Sequence, residues 1–140
     1  MIAYKPKYFT IRELVHPWIL KALGELNCWL RLDSGSLKDI DRIRERWGDV
    51  IYINHGNHDS RGLRPPNDPD GSWYSTHKMG GTFDLVPRSG EYIRLWAMVE
   101  DMIKKGELKT LNTLEDVDFT PGWVHVAKMN TSLRPLIIKP

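Results

Sequence analysis

The sequence predicts an α+β fold in which three or so helices pack on a small, mainly antiparallel sheet. Apolar residues recur at helical spacing or close to it in three stretches, Trp18 to Leu32, Leu37 to Trp47 and Tyr92 to Ile103. Short β-rich runs lie between and after them, at Val50 to Ile53, Thr82 to Val86, Trp123 to Ala127 and Leu136 to Ile138. Length is the third observation. A chain of 140 residues, 41% hydrophobic and 27% charged, suits one domain with a modest core, so residues 1–140 are read as a single unit. Helices that precede and interrupt a small sheet make α+β the class.

Taken in order, Thr10 with Glu13 three residues later is a capping box ahead of Ile11, Leu14 and Val15, and Pro17 interrupts or restarts that helix. The stretch from Trp18 to Leu32 follows as a second helical piece with Gly24 as its weak point. Ser36 and Asp39 repeat the capping pattern before Leu37, Ile40, Ile43 and Trp47, and Gly48 supplies the stop. After the run at Val50 to Ile53, residues 54–74 are so dense in Gly, Pro, Asn and Asp that a long loop is expected, and loops of that length usually carry function. Tyr92, Leu95, Trp96, Val99, Met102 and Ile103 then form a helical stripe closed by Lys104, Lys105 and Gly106. Such a stripe is a core face, not a cofactor box.

Composition narrows the function. No apolar run approaches the roughly 20 residues that span a bilayer, and the first residues lack the apolar stretch of a secretion signal, so a soluble protein made in the cytosol, without a membrane partner, is expected. The single cysteine, Cys28, lies among Leu26, Trp29 and Leu30 and reads as a buried thiol. A net charge of +2 is too small to imply a nucleic-acid partner. Arg42, Arg44 and Arg46 read as solvated helix faces, although with Arg61 and Arg64 they could form a local basic patch.

Two stretches spell metal motifs. In "YINHGNHDSRGLR", Gly56-Asn57-His58-Asp59 resembles the metal-binding turn of the calcineurin-like phosphoesterases. Those enzymes hold two metals with an upstream Asp-x-His and further bridging carboxylates, whereas the only histidine upstream here is His16, preceded by Leu14 and Val15, so the stretch is read as a Gly/Asn/Asp turn. The second constellation is "STHKMGGTFDLVP", with His77 seven residues before Asp84, followed much later by "GWVHVA", with His125 inside an apolar β run. Two histidines and a carboxylate give zinc three protein ligands and leave a fourth position for water, whose pKa the metal lowers toward about 7. Amide hydrolysis is the chemistry that suits such a site. Spacing alone leaves open a core His125 bonded to a backbone carbonyl.

These residues resemble the zinc D-alanyl-D-alanine carboxypeptidases and their relatives, the phage L-alanyl-D-glutamate endolysins and the hedgehog signalling domain. The family pattern is Ser-x-His-x-x-Gly-x-x-x-Asp and, at a distance, aromatic-x-His. Ser75, His77, Gly80 and Asp84, then Trp123 and His125, fit it in order. "YFTIRELV" is similar to the amino-terminal segment of small phage members, and "SRGLR" falls where the family has its Ser-Gly-aromatic-Arg substrate motif. The resemblance covers about residues 8–138 and implies a hedgehog/DD-peptidase-like fold with His77, Asp84 and His125 as zinc ligands. It places Arg64, and with it Arg61 and Ser75, at the substrate, the arginines binding a carboxylate or carbonyl of the peptide. The implied protein is a phage-encoded, monomeric hydrolase of peptidoglycan stem peptides, of carboxypeptidase or endolysin type, made in the host cytoplasm and acting on the cell wall or from the virion.

One departure matters. Family members carry an acid as general base three residues before the last histidine or two after it; here those positions are Gly122 and Ala127. Ala127 shares a strand face with His125 and offers a methyl group there. Glu115, Asp116 and Asp118 lie upstream, and spacing does not choose among them. The base is therefore unassigned, and a zinc-binding module without catalysis is the alternative that the resemblance allows.

Overall fold

A computed structural model describes residues 3–67 and 76–140. Ser75 lies outside the described residues. The fold is α+β, with a mostly antiparallel five-stranded sheet and three helices longer than two turns.

Helix α1 (Ile11–Leu14) is a single turn held by the Thr10/Glu13 capping box. Helix α2 (Pro17–Arg31) begins on Pro17 at its first position, where a missing N–H costs nothing, so the proline restarts the helix. His16 caps it through Nδ1, which accepts from Trp18 N–H, and Gly24, at φ +78°, kinks it. Helix α3 (Ser34–Trp47) corrects the expected cap: Asp33, not Ser36, is the N-cap, and its carboxylate accepts from the Ser36 backbone N–H. Asp39 does not cap the helix it sits on. Fully buried, it accepts from the backbone N–H groups of Lys109, Thr110 and Leu111 and pins that loop. The short-range spelling was right for a cap, but the tertiary structure uses the carboxylate elsewhere.

The strands are β1 (Ile51–Tyr52), β2 (Thr82–Pro87), β3 (Thr113–Glu115), β4 (Val124–Ala127) and β5 (Leu136–Ile138), in the order β1-β2-β4-β3-β5. All neighbours are antiparallel except β3 and β5. Helix α4 (Tyr92–Lys104) connects β2 to the chain leading into β3 and packs on β2 and β4. Alternation along the strands separates two faces. Phe83, Leu85, Leu114, Val124 and Val126 point into a single core with Leu95, Val99 and Met102 of α4 and Leu37, Ile40 and Ile43 of α3. The opposite face carries Thr82, Asp84, Thr113, Glu115, His125 and Ala127, and five of these six are polar.

Cys28 is buried, and burial pushes its thiol pKa up. The arginines of α3 are committed locally: Arg42 pairs with Asp39, Arg46 with Glu107, and Arg44 lies over the Tyr8 ring. Among the described residues, no helix is long and apolar enough to cross a membrane.

Candidate metal centre

Strand register builds the site. Asp84 on β2 stands directly across from His125 on β4, and on the other side of β4 the β3 register runs Thr113 to Ala127 and Leu114 to Val126. Its next step brings Glu115 beside His125. Three adjacent strands thus deliver a carboxylate, an imidazole and a second carboxylate to one patch of the polar face. Trp96 of α4 donates its indole N–H to the Glu115 carbonyl at 2.9 Å and fixes the end of β3.

His77 comes from the 3-10 turn Thr76–Lys78, which two glycines hold in place. Gly80 has φ +80°, and a Cβ on it would stand 2.3 Å from the Arg31 carbonyl oxygen. That close approach lets Asp33 N–H donate to the Gly80 carbonyl and locks the turn against the α2–α3 junction. Gly62 is tighter still: a Cβ there would lie 2.1 Å from the Leu14 carbonyl oxygen. Seated against α1, Gly62 turns its own carbonyl toward His77, whose Nδ1–H donates to it at 3.0 Å. A carbonyl only accepts, so Nδ1 carries a proton, and Nε2 is the ring atom turned toward the site.

His77 Nε2 faces Asp84 Oδ1 at 3.2 Å, and His125 Nδ1 faces the same oxygen at 2.9 Å. Ligand atoms of the three residues lie within 4.8 Å of one another. A tetrahedral metal with bonds of about 2.0–2.1 Å has ligand edges of about 3.3 Å, so two of the three edges are already near their bound length. Moreover, an Nε2 lone pair opposite a carboxylate oxygen repels it unless a cation, proton or metal, lies between them. The group could therefore hold a metal ion. Two imidazoles and a carboxylate suit zinc and also iron(II). The Gly62 carbonyl on His77 is the outer support that metal-binding histidines commonly have.

Burial opposes the charge on Asp84, but hydrogen bonds from His125 and His77 and their positive charge outweigh it and hold the carboxyl far below the usual range. Its other oxygen, Oδ2, lies 3.6 Å from the Arg64 guanidinium. Glu115 Oε2 is 3.9 Å from His125 Nδ1. Burial raises the Glu115 pKa, His125 works against this, and the charge of Asp84 adds to it. Of the three acids that spacing could not separate, Asp116 caps its own 3-10 turn through Asp118 N–H and pairs with Lys139, and Glu115 alone reaches the histidines.

Arg61 and Arg64, expected at the substrate, line a cleft of about 390 Å³ with Asn57, His58, Asp84 and Trp123. Arg61 donates to the Ile53 carbonyl, and its backbone carbonyl accepts from Asp84 N–H, which ties the arginine loop to β2. Burial lowers the Arg61 pKa against the opposing effect of Asp84. The Gly56-Asn57-His58-Asp59 stretch is a turn closed by two backbone hydrogen bonds between His55 and His58, as its composition suggests. The open alternative for His125 is answered by its geometry: its Nδ1 faces a carboxylate, not a backbone carbonyl. Compared with protein-family models, curated proteins and solved structures, the chain matches none.

Proposed function

We propose that this chain is a zinc-dependent peptidase of the hedgehog/DD-peptidase type that hydrolyses an amide bond in a peptidoglycan stem peptide. The observation that carries the reading is the convergence of His77 Nε2, Asp84 Oδ1 and His125 Nδ1 beside an arginine-lined cleft, with Glu115 3.9 Å from His125. Zinc held by the three side chains would polarise the scissile carbonyl and acidify a water in its open position.

The remaining work falls to the chain. Glu115 accepts a proton as the water oxygen bonds to the carbonyl carbon, and passes it to the amine nitrogen as the C–N bond breaks. Its partial burial favours the proton-accepting role, since a base works best with a pKa raised toward the operating pH. Arg64 contacts Asp84 Oδ2 and so turns Oδ1 alone toward the histidines, and Arg64 and Arg61 both line the cleft in which a peptide carboxylate or carbonyl would lie. Glu115 occupies the role left empty by Gly122 and Ala127, which favours an enzyme over a metal-binding module without catalysis. The resemblance further supports a monomeric, phage-encoded protein acting on the cell wall or from the virion.

The first experiment is elemental analysis of wild type and His77→Ala after dialysis against trace zinc and iron, followed by digestion of purified muropeptides. One zinc per chain in wild type, little in the variant, and cleavage that the variant lacks are expected. Bound zinc without cleavage of any muropeptide that a known family enzyme cuts would leave only the metal-binding module. No bound metal would remove the basis of the reading.

A further inference from the structure

The side chains at the site are not all held in the same way. Asp84 is gripped by two histidines and Arg64, and His77 by the Gly62 carbonyl. The Glu115 carboxylate, in contrast, makes no hydrogen bond among the described residues and stands 3.9 Å from His125 Nδ1. Its place therefore follows from its backbone.

Strand β4 does not supply that anchor, because its pairs with β3 run from Thr113 to Leu114 and stop one residue short of Glu115. Two other elements take over. On the far side of β3, β5 carries the pairing on to Glu115, opposite Ile138, and the Ile138 carbonyl accepts from Asp116 N–H at 2.8 Å. From α4, Trp96 donates its indole N–H to the Glu115 carbonyl at 2.9 Å, an ordinary hydrogen-bond length. The helix is itself fixed, since Leu95 and Val99, which flank Trp96 along it, are fully buried in the core. The indole is half-buried, so its ring packs on the core while its N–H reaches the last residue of β3. Trp96 thus does more than extend the apolar stripe to which it belongs.

Proton transfer demands an approach of about 2.6–3.2 Å between base and donor, and a misplacement of about 1 Å is enough to cost up to 10²-fold in rate. A carboxylate at the end of a flexible side chain meets that demand only if its root is fixed. We propose that Trp96 is a positioning residue for the hydrolysis: by holding the Glu115 carbonyl it sets the reach of the Glu115 carboxylate, although Trp96 does not itself line the cleft. This rests on the peptidase reading above, in which Glu115 takes the proton of the attacking water and returns it to the amine nitrogen as the C–N bond breaks.

The test uses the zinc-loaded full chain, with Trp96→Phe made both in wild type and in Glu115→Gln. Phenylalanine fills most of the same space without the N–H. In wild type, kcat for muropeptide cleavage should fall about 5-fold, the worth of one hydrogen bond, with KM and zinc content unchanged. In Glu115→Gln the same substitution should change the residual kcat by less than about 2-fold, the non-additivity of two residues that act as a unit. Crystal structures of zinc-loaded wild type and Trp96→Phe should show the Glu115 carboxylate displaced by roughly 1 Å in the variant. An equal loss in both backgrounds, a loss confined to KM or zinc content, or an unchanged kcat would each overturn the positioning role and leave the peptidase reading intact. If wild type cuts no peptide, the peptidase reading fails, and the two structures then decide the placement alone: a displaced carboxylate upholds the hold of Trp96 on Glu115, and an unmoved one refutes it.

Discussion

Replacing Gly62 by alanine should weaken metal binding by the His77, Asp84 and His125 group from a position outside that group. The added Cβ would stand 2.1 Å from the Leu14 carbonyl oxygen and 2.7 Å from its carbon, where ordinary contact needs about 3.5 Å, so the backbone has to move by more than about 1 Å. Leu14 cannot yield easily, because its carbonyl already accepts from Leu63 N–H at 2.8 Å. The displaced Gly62 carbonyl would leave His77 Nδ1, now 3.0 Å away, beyond hydrogen-bond reach. Loss of such an outer support typically costs 10- to 100-fold in metal affinity, about 1.4–2.7 kcal/mol. Strain on the Leu63 to Leu14 and His16 to Leu63 backbone bonds adds about 1 kcal/mol each to the loss of fold stability. Zinc affinity measured by competition with a chelating dye, and melting of the zinc-free protein, separate the two effects. A Gly62→Ala protein with a lowered melting temperature but wild-type zinc affinity would refute the claim that this glycine positions His77.

Glu115→Gln keeps the shape but removes the proton acceptor; zinc content should be unchanged while kcat falls by about 10²- to 10⁴-fold, and loss of zinc instead would make Glu115 a ligand. Asp39→Asn should be the most destabilising single change outside the site, because an amide nitrogen would face backbone donors that now find a buried carboxylate; about 3 kcal/mol, or a fall in Tm of roughly 10 °C in thermal melts, is expected, and a change under about 2 °C would count against it. Asp33 is partly buried, which alone would raise its pKa, but Lys128 and the Ser36 backbone and hydroxyl donors hold it below its ordinary 3.8. A depressed folded pKa stabilises the fold above 3.8, and that contribution is lost as pH falls further through the folded value. The stability gap between wild type and Asp33→Asn in urea titrations should therefore be full at pH 6 and narrow below about pH 4; a gap independent of pH would contradict the assignment.

The elements were legible where local chemistry decides them. The Thr10/Glu13 box, Pro17 at a helix start, the Gly24 kink and the Gly48 stop all act within one turn of the chain, and the structure uses each as its spelling suggests. Asp39 shows the limit. It satisfies a local capping pattern, yet three backbone donors about seventy residues away claim its carboxylate, and no short-range rule can see that competition. The same limit governs the site. His77 and Asp84 are neighbours in sequence and His125 is marked by its polar ring inside an apolar strand, so the metal group could be named from the chain alone. Glu115 could not be separated from Asp116 and Asp118, because its place depends on the register of β3 against β4, which is fixed by the burial of Leu114 and Val126 on the opposite face. A one-residue slip would bury Glu115 in the core and turn Leu114 toward His125. The hydrophobic core thereby selects which acid stands beside the two histidines and Asp84, and the selection is made on the opposite side of the sheet from that group.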